Sequence, residues 1–75
     1  MLEVVTMREI EQIFAMTDTL GIHREALVIP LGPASPGGVR RLQNGKLEII
    51  VDADTPIEEW VKQLPDLIHA IEGRQ

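Results

Sequence analysis

The pair Asn44-Gly45 stands between two apolar-polar runs in VRRLQNGKLEIIV, and no other feature constrains this chain as much. Asn-Gly supplies the positive backbone angles of a tight type I′ turn, and the alternation on either side supplies two strands. A two-residue turn also sets the register. It pairs Gln43 with Lys46, Leu42 with Leu47, Arg41 with Glu48, Arg40 with Ile49 and Val39 with Ile50. Leu42, Leu47, Ile49 and Val51 then share a core face, while Val39 and Ile50 lie on the other face among Arg41, Glu48 and Asp52.

Two helical segments flank this hairpin. From Met7 to Leu20, Ile10, Ile13, Phe14, Thr17 and Leu20 recur at three- and four-residue steps and line one face. Thr6 with Glu9 forms a capping box, Val5 and Ile10 occupy hydrophobic-staple positions, and Gly21 stands where a helix stops. The second segment runs from Pro56 to about Ile71. Thr55 with Glu58 caps it, Pro56 takes the first helical position and Gly73 follows its end. Its apolar stripe of Ile57, Trp60, Val61, Leu64, Leu67, Ile68 and Ile71 is longer than one sheet face needs. Pro65 removes the hydrogen bond to the Val61 carbonyl, so a kink or break is expected there.

ALVIPL, residues 26 to 31, is an apolar run of strand length, and Pro30 suits an edge strand or a strand end. The order helix, strand, hairpin, helix predicts one α+β domain over residues 1–75. Its three-stranded antiparallel sheet carries both helices on one face.

Composition narrows the function. The 75 residues contain no cysteine, which removes disulfides, thiolate metal sites and a thiol nucleophile. A net charge of −5 and only two aromatic residues, Phe14 and Trp60, argue against nucleic acid, which requires cationic neutralisation or stacking platforms. No run of about 18 apolar residues exists to span a membrane. The start MLEVVTMREIE has acids where a secretory signal has a basic and then apolar stretch, so a cytoplasmic protein is expected. A chain this short buries a small fraction of its surface, and self-association is expected on that ground.

The loop LGPASPGGVRRL, residues 31 to 42, is the main candidate site. Gly32 and Gly37 have the spacing of a nucleotide-binding loop, but Gly38 and Val39 follow where Lys and Ser or Thr are needed, and the next element is a strand rather than a helix. The stretch reads first as a strand connection. Residues 33 to 46 nevertheless hold Arg40, Arg41 and Lys46 and no acid. Arg41 has Glu48 as its expected cross-strand partner. Arg40, placed on the core face by the two-residue turn, must snorkel out or find an acid. Gly37, Gly38, Arg40 and Arg41 therefore form the candidate anion site.

Other chemistry is thin. Asp52 and Asp54 in VDADTP are one residue apart after a strand, but Thr55 follows Asp54 directly instead of standing one residue further on, as phosphoryl-transfer use of the pair would need. Carboxylates before a helix favour its positive end. His23 falls in the turn after the first helix and His69 beside the last apolar stripe, where it is expected to be half-buried; neither has metal-ligand spacing. Ser35 has no histidine nearby in sequence. No metal or cofactor is assigned. The reading is a non-catalytic protein-protein interaction module, a homo-oligomer or the partner of another protein. The alternative is a binder of a small anion or phosphorylated metabolite, or a vestigial enzyme, using Gly37-Gly38 and Arg40.

Overall fold

A computed structural model of the chain describes residues 1–72. Gly73, the expected helix stop, lies outside the described residues. The elements are α1 (Met7–Thr19), a 3-10 turn (Arg24–Ala26), β1 (Leu27–Val28), β2 (Gly38–Arg41), β3 (Leu47–Ile50), α2 (Ile57–Trp60), a second 3-10 turn (Val61–Gln63) and α3 (Leu64–Glu72). This is a small α+β fold. The Glu9 carboxylate accepts the Thr6 backbone N–H at 2.8 Å and the Thr6 hydroxyl, so the start of α1 is closed as its sequence predicts.

The sheet is mixed rather than antiparallel. β3 lies in the centre, with β2 antiparallel on one side and β1 parallel on the other, where Leu27 pairs with Leu47 and Val28 with Glu48. β1 and β2 run in opposite directions on either side of β3, so residues 29–37 need only cross the end of β3, and β2 itself is the return leg that a parallel neighbour requires.

The hairpin register also differs from expectation, by one residue. Gly38 pairs with Ile50, Val39 with Ile49, Arg40 with Glu48 and Arg41 with Leu47. Among the described residues, only Gly21 and Gly45 have positive φ, at 76° and 88°; Asn44 does not. The connection is therefore a three-residue loop, Gln43-Asn44-Gly45, closed by Leu42 N–H to Lys46 O at 2.8 Å and Gly45 N–H to Leu42 O at 3.0 Å. Asn44 turns the chain through its side chain, which accepts the Lys46 N–H at 3.0 Å. One extra loop residue moves every β2 side chain to the opposite face. Val39 joins the core, Arg40 moves outward, and Leu42 leaves the core face.

Core packing is one-sided. Leu47, Ile49 and Val51 form one buried cluster with Val5, Ile13 of α1, Ile57, Trp60 and Val61, and Leu64 and Ile68 of α3. Most of the last segment's stripe is thus consumed within the chain, with Leu67 and Ile71 packed partly buried against the cluster. Near Pro65 the hydrogen-bond pattern changes from α to 3-10. The Val61 carbonyl, which an uninterrupted helix would bond to residue 65, accepts the Leu64 N–H instead. Pro65 then lies in the first turn of α3, where its missing donor leaves no further gap.

The other sheet face has no helix from this cluster. Alternation from the paired strands puts Val28, Gly38, Arg40, Glu48 and Ile50 there, and neither Val28 nor Ile50 belongs to the core cluster. No helix among the described residues is long and apolar enough to cross a membrane.

Candidate functional site

The glycine loop is bonded to the end of β3 rather than held away from it. Ala34 forms a bridge with Asp52: its N–H donates to Val51 O at 3.0 Å and its carbonyl accepts the Ala53 N–H at 2.8 Å. Gly37 then passes so close to this strand that a Cβ would lie 2.4 Å from Ile50 O and 2.5 Å from Asp52 N. Only glycine fits there. The Gly37 N–H points at Asp52 Oδ2, at 3.3 Å, while Asp52 Oδ1 accepts the Asp54 N–H at 2.8 Å. Ser35 donates its hydroxyl to Asp54.

These bonds give the two aspartates a backbone role. The Asp54 N–H, followed by the Gly37 N–H and Thr55, holds the Asp52 carboxyl below its ordinary pKa of 3.8, against partial burial, which acts the other way. A carboxylate kept ionised at the Gly37 amide occupies the donor that an anion would need.

Arg40 is similarly engaged. Its Nε donates to Glu48 across the strand pair, with the Arg40 side chain 68% exposed and that of Glu48 only 14%. Glu48 was expected opposite Arg41; the one-residue register change exchanges the two arginines. Arg41 instead shares the Leu47 side of the sheet, stays exposed, and donates from Nη1 to Gly45 O at 3.3 Å. Of the four residues nominated for an anion site, Gly38 and Arg40 share the outer face. Gly37 faces the end of β3, and Arg41 lies on the opposite side.

His23 and His69 are both exposed, so the half-buried position expected for His69 does not occur. Among the described residues, no group of three or more His, Asp or Glu is placed to hold a metal ion. A groove of about 400 Å³ runs between the N-terminal segment and α2, with Leu2, Val51 and Ile57 in its lining and Arg8 and Glu58 among its polar groups. These two pair with each other, and Arg8 also reaches Glu9 at 3.2 Å. Arg8 is thus engaged by two of the groove's carboxylates, and Asp54, also in its lining, accepts the Ser35 hydroxyl.

Two surfaces escaped sequence reasoning. The first is the outer sheet face in its true composition, which one-residue register errors hide. The second is an apolar surface at the N-terminal segment: among the described residues, Met1, Val4, Met7 and Leu31 are the exposed large apolar side chains, and Val5 N–H bonds Leu31 O at 2.8 Å, bringing loop and segment together. Its signal was present in the apolar residues before Thr6, but a pairing with Leu31 has no local cue. No protein-family model matches the chain, nor does any curated protein or solved structure.

Proposed function

We propose that this chain is a non-catalytic interaction module that associates with a second copy of itself. The observation that carries the reading is the one-sided layering: α1, α2 and α3 contribute to one core against Leu47, Ile49 and Val51, and among the described residues no helix of that core covers the opposite sheet face, where Val28 and Ile50 are partly exposed. A sheet stabilises by covering its faces, and a small chain has little spare sequence with which to cover the second. The partner supplies that layer.

β2 and β3, of four residues each, and the two-residue β1 present a face of roughly 150 Å², well under the about 800 Å² per partner of a standard interface. Association is accordingly weak, with a dissociation constant on the order of 100 μM or somewhat tighter. Light scattering tests it: mass rising from 8.4 kDa toward twice that value with concentration supports the reading. A monomer mass up to hundreds of micromolar, on the order of the weak-interface range, rejects it.

Anion binding at Gly37, Gly38 and Arg40 is the second reading. A phosphate group would have to displace Asp52 from the Gly37 amide and Glu48 from Arg40. Saturable phosphate shifts of the Gly37 and Gly38 amide resonances, lost in Arg40→Gln, would favour it over self-association.

A further inference from the structure

Gly38 has no internal explanation. Its φ is not positive, and a Cβ built on it meets nothing within 4 Å. Glycine inside a strand loses stability relative to alanine, and it often marks a bulge, a tight bend or a place that a ligand or another backbone approaches closely. Here the space left by the missing side chain lies on the outer face, directly beside Ile50. Next along the same two strands, Arg40 pairs with Glu48.

This arrangement is self-complementary. In a two-fold dimer, residue i meets residue j and residue j meets residue i. Consider an axis lying between two such faces, parallel to the strands and midway between β2 and β3. It sets Arg40 over the partner's Glu48 and, with no further adjustment, Ile50 over the partner's Gly38. Both contacts occur twice.

We propose that the chain dimerises through this outer sheet face, with Ile50 of each copy seated in the partner's Gly38 depression and Arg40 exchanged onto the partner's Glu48. The proposal rests on the self-association reading and names the surface and its register. Ile50 and Val28 supply apolar burial. The charges set registration, because like charges oppose in any arrangement that places Arg40 on Arg40 or Glu48 on Glu48. Adding a side chain at Gly38 fills the depression without disturbing the protomer, since that space is open in the chain itself.

The test is a charge exchange read by light scattering at a concentration where the wild type is dimeric, with circular dichroism confirming the fold of each variant. Arg40→Glu and Glu48→Arg should each weaken the dimer about tenfold or more. The double variant should regain it, and an equimolar mixture of the two single variants should form a heterodimer. Gly38→Val should keep its fold and lose the dimer. A dimer indifferent to these changes, or one broken by Leu31→Asp and not by them, would place the interface at the N-terminal patch and overturn the proposal alone. Single variants that dissociate without recovery in the double variant would overturn the charge exchange. A monomeric wild type would overturn the self-association reading and this surface with it.

Discussion

At the scale of single residues, Gly37 and Gly38 are adjacent and answer to different forces. Gly37 is fixed by the backbone of β3 2.4 Å from where its Cβ would stand, whereas Gly38 faces open space. Gly37→Ala should therefore destabilise the fold by about 1–3 kcal/mol. Gly38→Ala should be neutral or stabilise the protomer by up to about 1 kcal/mol. Urea denaturation of the two variants checks the contrast, and equal midpoints would contradict it. Two carboxyls give a second prediction. Glu9 is held below its ordinary pKa of 4.5, first by the Thr6 hydroxyl and then by the Thr6 N–H, and Asp52 below 3.8, first by the Asp54 N–H. A lowered folded-state pKa means that the native state binds fewer protons than the unfolded one, so this stability is present above the ordinary values and is lost as pH falls through the folded ones. The melting temperature should stay level from neutrality to near pH 5, on the order of half a unit above the higher ordinary value, and decline below it. Asp52→Asn and Glu9→Gln should each flatten that decline. Asp52 and Asp54 were visible in the sequence as a pair before a helix; that Asp52 clamps the Gly37 amide was not, because the contact depends on a loop returning from fifteen residues away.

At the scale of elements, local signals carried far and pairing signals did not. The capping residues Thr6 and Glu9 identify the start of α1, and the change of helix type before Pro65 follows from one missing N–H. The hairpin was legible as a hairpin, yet Asn-Gly is compatible with two loop lengths, and the choice of three residues over two reverses the faces of Val39, Arg40 and Arg41. Nothing local distinguishes them; burial of Val39 against the core decides. The parallel placement of β1 is likewise a tertiary outcome, since two residues such as Leu27 and Val28 carry no direction of their own. The observed loop makes a specific prediction. Gly45, at φ 88°, needs the left-handed region and Asn44 does not. Gly45→Val should destabilise the fold by at least about 1 kcal/mol, while Asn44→Ala should lose only the exposed bond to Lys46 and fall within about 0.5 kcal/mol. A type I′ turn would penalise both, so thermal denaturation of the pair separates the two loops.

At the scale of the whole molecule, the described residues form two layers, with helices against one face of the sheet and the residues of the other face partly exposed. The α+β class and the placement of helices on one side were legible from helix and strand periodicity, since Ile13, Trp60, Leu64 and Ile68 all demand a common core. Self-association was expected from the small core and from surplus apolar surface on the last segment. The long apolar stripe of the last segment is spent on the chain's own core, and the uncovered surface is the sheet face behind it, whose composition of Val28, Gly38, Arg40, Glu48 and Ile50 depends on the hairpin register. Gly38 and Arg40, nominated as anion ligands, stand there beside an acid and an isoleucine instead of around an empty cradle. The most direct measurement of the central claim is therefore the mass of the unaltered chain in solution as a function of its concentration. With a dissociation constant on the order of 100 μM, the mass should rise from 8.4 kDa toward twice that value over roughly tens to hundreds of micromolar, and a mass that stays at 8.4 kDa throughout would contradict self-association.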